Sequence, residues 1–241
     1  MFDRRIVTIH SVNESTFSKE KLIKYIKVMR FLGYEFVSLS QILSLNCKRK
    51  SIALTVDDAY KSCIYNLLPI LDQYRVPAIM FIPTGLLGKC ANDPELLEHE
   101  CYVNEETMNV EDIQLWIDKG YDIGFHTHKH LDLYNSEESV IDCDFEKGMN
   151  FIKHFNWNVS YFAYPKGFIP KNKNYFEQML LKNNFQFALT INWGRINIDN
   201  PFYINRICLG NHEFFYWSII KSLGLADIYF KIRRMGKEQI I

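Results

Sequence analysis

The 241-residue chain has no excess of either charge, since its 28 basic residues face 28 acidic ones. That balance removes the electrostatic footprint of a nucleic-acid binder and implies no strongly acidic or basic partner. Long apolar runs are missing too: no stretch of about eighteen apolar residues occurs, which argues against a membrane-spanning helix. The cysteines Cys47, Cys63, Cys90, Cys101, Cys143 and Cys208 form no C-x-x-C pair and keep no regular spacing. A chain of this length needs no disulfide staples, so they read as reduced thiols. There is no internal repeat, linker or low-complexity segment. The opening Met1-Phe2-Asp3-Arg4-Arg5 runs straight into a strand-like segment, without the apolar stretch and cleavage site of a secretory signal. Cytoplasmic residence is the resulting expectation.

What is present fits one α/β domain over residues 1–241 with a sizeable core. Apolar runs rich in β-branched residues recur at Ile6–Ile9, Phe36–Leu39, Ile52–Val56, Ala78–Ile82, Asp122–Phe125, Ser160–Tyr164 and Phe187–Thr190. Between them, Lys19–Leu32, Ile64–Tyr74, Val110–Lys119, Glu137–Phe155 and Tyr175–Asn183 carry apolar residues at helical spacing. About seven strands alternating with helices predict parallel β/α units and a distorted, incomplete (β/α) barrel. Asn109 and Ser136 stand where helix caps belong, and Gly120 follows a helix end. Leu86 to Met108 lacks periodicity and reads as a long excursion over the mouth of the domain.

Three segments carry chemistry. In Ile52-Ala53-Leu54-Thr55-Val56-Asp57-Asp58-Ala59-Tyr60 a buried-looking strand ends in two carboxylates, at the end of a parallel strand where catalytic groups collect. Alone, Asp-Asp could equally be a turn or a helix cap. In Gly124-Phe125-His126-Thr127-His128-Lys129-His130, three of the seven histidines follow another strand. A helical or turn-like segment can present His126 and His130 to one ion, leaving His128 pointing elsewhere. Two imidazoles and one carboxylate make the three-ligand, open-position arrangement of catalytic zinc sites. In Tyr161-Phe162-Ala163-Tyr164-Pro165-Lys166-Gly167, Pro and Gly break a strand; such a turn can aim the Lys166 backbone N–H at a developing oxyanion, or it can be an ordinary strand exit.

In this order and spacing the segments resemble the polysaccharide deacetylase family, carbohydrate esterases that include chitin, peptidoglycan and nodulation-factor deacetylases. Thr55-Val56-Asp57-Asp58-Ala59 is similar to the family's T-F-D-D-G, His126-Thr127-x-x-His130 matches its H-[ST]-x-x-H, and Ala163–Gly167 resembles a degenerate R-x-P-Y-G. The resemblance spans about Ile6 to Leu209. It implies Asp57 as general base, Asp58, His126 and His130 as metal ligands, and hydrolysis of an N-acetyl or related N-acyl group on an amino sugar. Zinc suits the ligand set best, with cobalt, nickel or iron also able to occupy it.

The departures point to a subgroup acting on biofilm and surface polysaccharides, which shows F-[AS]-Y-P in place of the Arg form. Ala59 replaces the usual Gly, a mild change if its φ is negative. Ala163 stands where many members carry an Arg that orients the base, and Asn205-Arg206-Ile207 resembles the subgroup's P-R-I, so Arg206 could orient Asp57 by a charge-assisted hydrogen bond. Ile9-His10-Ser11-Val12 resembles the subgroup's Y-H-x-V, which makes His10 the expected general acid ahead of His212. Without a leader, a nucleotide- or lipid-linked sugar precursor is the expected substrate rather than a finished polymer. A catalytically silent sugar binder and a deformylase of a formamido sugar are the alternatives. The aromatic and basic tail from Phe214 to Arg234 offers a peripheral contact with the inner membrane face, against the plainer reading of an extra helix closing the barrel.

Overall fold

A computed structural model of the chain describes residues 4–44, 47, 50–97, 105–210, 215–225 and 227. Eight strands form one sheet: β1 (Arg4–Ile9), β2 (Glu35–Phe36), β3 (Ser51–Asp57), β4 (Ala78–Ile82), β5 (Asp122–Phe125), β6 (Tyr161–Ala163), β7 (Phe187–Leu189) and β8 (Ile207–Cys208). Seven follow the order β7-β6-β5-β4-β3-β1-β8, and β2 pairs with the start of β3. All these pairings are parallel. The sheet curls into the expected incomplete barrel. Its gap is crossed by an irregular segment, in which Ile204 exchanges hydrogen bonds with Ala188 and Thr190 before β8 joins β1.

Each expected strand is present, with one correction. The run Phe36–Leu39 is extended only at its start, because Ser38 caps a short helix, α2 (Leu39–Leu43), through a reciprocal box with Gln41. The helices α1 (Lys19–Phe31), α3 (Leu68–Tyr74), α5 (Val110–Asp118), α6 (Glu138–His154) and α7 (Lys173–Lys182) match the helical spacings. α4 (Pro94–Leu97) and α8 (Phe215–Ser222) complete the set among the described residues. Asn109 caps α5 in a box with Asp112. Ser136 does not cap α6: its hydroxyl donates to the Asp132 carbonyl instead, and Glu137 takes the cap position without a side-chain bond.

Strand alternation sorts the side chains into two layers. Val7, Ile9, Leu54, Val56, Met80, Ile82, Phe125 and Phe162 face outward and join the helices in the larger core. Ile6, Ala53, Ile79, Phe81, Ala163, Leu189 and Ile204 face inward and share a second cluster with Val37, Leu39, Ile42 and Leu43. The inner lining therefore starts apolar where β2 and α2 sit, beside the N-terminal end of β3. Moving two residues at a time towards the C-terminal ends, it becomes polar: Thr8, Thr55 and Arg206, then His10, Asp57 and His126.

Candidate active site

The parallel register brings Asp57, His126 and the residue after β1 to one end of the barrel. Asp57 pairs with Phe81 across the sheet, and Phe125 with Ile82. Just beyond the strand ends, Asp58, His126 and His130 converge, all three buried, with one potential ligand atom from each lying within 4.8 Å of the others. Asp58 Oδ1 is 3.4 Å from His126 Nε2 and 3.3 Å from His130 Nε2. His126 Nδ1 donates to the Ala163 carbonyl at 2.8 Å, which leaves its Nε2 lone pair directed at the cluster.

The electrostatics suit a cation. Burial raises the Asp58 carboxyl, but His130, His126 and His10 outweigh it and hold Asp58 well below the usual carboxylate range. Burial lowers the His130 pKa despite Asp58 beside it, which favours the neutral form that a metal ligand requires. One carboxylate oxygen and two imidazole nitrogens on a buried floor form a donor set that fits zinc or a similar divalent ion.

Asp57 faces the other way, into the barrel. Arg206 Nη1 donates to its Oδ1 at 2.8 Å and Nη2 to its Oδ2 at 2.9 Å. The guanidinium is 0% exposed and further held by the Thr190 carbonyl at 3.1 Å and Thr55 Oγ1 at 3.1 Å. Its plane lies over the Phe81 ring, 5.3 Å from the centroid. Burial raises the Asp57 carboxyl; Arg206, His126 and His10 more than reverse this and keep its pKa below 3.8. An ionised, rigidly oriented carboxylate thus adjoins a metal-competent triad.

Comparison with known proteins agrees with this constellation. Residues 45–183 match the family model described as polysaccharide deacetylase. The chain belongs to the polysaccharide deacetylase family. It is 26% identical over 222 residues to the poly-beta-1,6-N-acetyl-D-glucosamine N-deacetylase of Staphylococcus aureus, covering 85% of this chain and 70% of that one. The protein of the same name from Staphylococcus epidermidis is 24% identical over 200 residues, covering 75% and 63%. Among solved structures, IcaB from Ammonifex degensii superposes with a TM-score of 0.74 at 18% identity, over 92% of this chain and 96% of the other. The Streptococcus pyogenes deacetylase PplD, in complex with acetate, gives 0.68 at 21% identity, over 85% and 91%. These superpositions show the shared fold.

Within the family pattern, His10 follows β1 directly, and its Nε2 lies 3.9 Å from Asp58 Oδ2. Its side chain is 39% exposed at the mouth. Burial of part of the ring disfavours its charge, but a hydrogen bond with Cys208 and the Asp58 and Asp57 carboxylates push its pKa up to about 10. A cation on Asp58 would withdraw part of that support and bring the ring back towards neutrality. His212, the other candidate acid, lies outside the described residues.

The third segment turns through Lys166, whose backbone is left-handed (φ 54°, ψ 7°). Its side chain is exposed, and its charge is close enough to His130 to oppose protonation there. Ala59 corrects an expectation: its φ is +52°, so Ala occupies a conformation in which the family's Gly costs nothing, and Asp58 before it has φ 73°. The His126–His130 segment is turn-like, with positive φ at Thr127 (62°) and His130 (51°).

Two residues outside the ligand set hold this turn, of which Asp144 had no place in the sequence reading. His128 is half-buried against the turn that follows β4: its Nδ1 is 2.9 Å from Thr84 Oγ1, and its carbonyl accepts the Gly85 N–H at 2.7 Å. Asp144, from α6, accepts the backbone N–H groups of His128 and Lys129. Its signal is present in the sequence, because it occupies the apolar stripe Ile141, Asp144, Phe145, Gly148, Ile152 of α6. A carboxylate there needs buried partners.

The tail takes the plainer of its two readings: Phe215–Ser222 form α8, in which Lys221 is buried, donates to the Cys208 carbonyl at 3.3 Å and lies over Trp193, while Ser222 Oγ meets Tyr25 Oη at 2.7 Å. Lys221 is therefore withdrawn from any membrane surface. Lys231, Arg233 and Arg234 lie outside the described residues.

Proposed function

We propose that this chain hydrolyses the N-acetyl group of N-acetylglucosamine units in a β-linked surface polysaccharide. The observation that carries the reading is the buried Asp58–His126–His130 triad set beside an ionised Asp57 locked by Arg206. A divalent ion held by Asp58, His126 and His130, with zinc favoured, supplies Lewis acidity towards the amide carbonyl and lowers the pKa of water.

The chain's own groups do the rest. Asp57 accepts the proton of the attacking water as the new C–O bond forms, and the Lys166 backbone N–H donates to the carbonyl oxygen as it gains charge. His10, in its protonated form at the mouth, delivers a proton to the amide nitrogen so that the C–N bond breaks to give acetate and a free amine. Arg206 keeps the Asp57 carboxylate ionised and held in one orientation. The named relatives act on a polymer, which favours polymeric over nucleotide- or lipid-linked substrate.

The test is acetate release by zinc- or cobalt-loaded protein from β-1,6-linked and β-1,4-linked N-acetylglucosamine oligomers, a nucleotide-linked N-acetylglucosamine and a formamido analogue. Release from the oligomers above the nucleotide sugar is expected. Bound metal without acetate from any substrate would identify a silent sugar binder, and preference for the formamido compound a deformylase.

A further inference from the structure

The two histidine ligands sit on a loop whose backbone is unfavourable on its own. Thr127 and His130 both have positive φ, and each such residue costs on the order of 1 kcal/mol or more unless the surroundings enforce it. Within the turn, Thr127 Oγ1 accepts the Leu131 N–H at 2.9 Å. From outside, both oxygens of Asp144 reach the stretch between the ligands, taking the His128 N–H at 2.7 Å and the Lys129 N–H at 2.8 Å. The opposite side of the turn is fixed by Thr84 and Gly85 against His128.

Asp144 is only 6% exposed. Burial raises its pKa, and the two backbone N–H groups offset that effect only partly. A buried carboxylate on an otherwise apolar helix face is a cost to folding, so its return must come from what it holds. The helix that carries it packs closely on β5: a Cβ at Gly148, one turn on, would lie 2.4 Å from the Phe125 ring, which immediately precedes His126. Asp144 and the ligand loop thus ride on one close contact between α6 and β5.

We propose that Asp144 is a positioning residue for the metal centre, pre-shaping the His126–His130 loop so that both imidazoles face Asp58 before an ion arrives. The proposal rests on the metal site assigned above. Without Asp144 the loop must pay its backbone strain on binding, and metal affinity falls although no ligand is lost.

The experiment compares Asp144→Ala and Asp144→Asn with the parent chain and with His130→Ala, reading zinc affinity by competition with a chromophoric chelator. Hydrogen exchange of the His128 and Lys129 amides and the thermal midpoint are read on the metal-free proteins. Weakening of roughly 10- to 100-fold is expected for Asp144→Ala, with a smaller loss for Asn, which keeps one acceptor oxygen. Both amides should exchange faster in the Ala variant. Unchanged zinc affinity with a lowered metal-free midpoint would reduce Asp144 to a structural residue and overturn the proposal, as would unchanged amide protection. If Asp144→Ala does not fold, the Asn variant decides on the same readouts. A parent chain that binds zinc no better than His130→Ala would refute the metal site itself, an outcome distinct from loss of zinc affinity in the Asp144 variants alone.

Discussion

Replacing Arg206 by Met tests the Asp57 pair most directly, because Met keeps an unbranched apolar stem while removing the guanidinium. The change strands a carboxylate whose side chain is 3% exposed and whose two strongest partners, at 2.8 and 2.9 Å, both belong to Arg206. Breaking one side of a buried ion pair costs about 3–5 kcal/mol. For a domain of this size that corresponds to a fall in Tm of roughly 6–20 °C. The double variant Asp57→Asn/Arg206→Met removes both charges and should recover most of that loss.

Activity responds separately. With Arg206 gone the largest effect lowering the Asp57 pKa is lost and the pKa rises, so the acidic limb of kcat/KM moves to higher pH. The sign of the stability change follows. In the parent chain the folded pKa of Asp57 lies below 3.8, so the pair's contribution is present above that pH and is lost as pH falls through the folded value. In Arg206→Met the folded pKa rises, which shrinks that contribution and moves its loss to higher pH. The assays are thermal melts between pH 3 and 8 and kcat/KM profiles on an N-acetylglucosamine oligomer. A drop under about 1 kcal/mol, the range of exposed pairs, or no recovery in the double variant would refute the buried-pair argument.

Asp58→Ala, His126→Ala and His130→Ala should each lose most bound metal by elemental analysis, since only two ligands remain. Asp57→Asn should keep its metal and lose on the order of a hundredfold or more in kcat, and metal loss there with retention in Asp58→Asn would exchange the two roles. His10→Ala should lose turnover of the amide far more than of an activated acetate ester, whose leaving group needs no proton; equal losses would remove the acid role. Gly148→Ala forces a Cβ against the Phe125 ring and should cost about 1–3 kcal/mol in chemical denaturation, whereas a neutral result would show that α6 can shift.

The fold was legible because its strands are short apolar runs and its helices keep their spacing. The misses have physical causes. Phe36–Leu39 reads as a strand by side-chain type, but Ser38 and Gln41 offer a capping box that ends it. β8 is only two residues long, too short for any period to register. At the site, the Asp-Asp and His-x-x-x-His segments announce themselves locally, whereas the Arg206–Asp57 contact joins residues 149 positions apart and was reachable only through motif resemblance. Asp144 escaped notice because one charged residue in an apolar stripe is read as noise unless its buried partners are known.

Backbone strain ties these pieces together. Among the described residues, positive φ outside glycine occurs at Asp58, Ala59, Arg75, Thr127, His130, Asn156, Lys166 and Asn184. Arg75, Asn156 and Asn184 end α3, α6 and α7, where a left-handed residue is the ordinary way to stop a helix. The other five lie on the three loops that follow β3, β5 and β6, and no helix end accounts for them. Each loop turns through a left-handed residue within three residues of its strand end, at Asp58, Thr127 and Lys166. That reversal carries Asp58 over the barrel mouth while Asp57 still points down at Arg206, so adjacent carboxylates serve two different partners. A smoother exit would put Asp58 on the outer face beside Val56, two residues along the alternation, and dissolve the metal triad. The strained turns are therefore the geometric condition for the site, and the backbone N–H groups that Asp144 and Thr127 accept help to keep one of them in place.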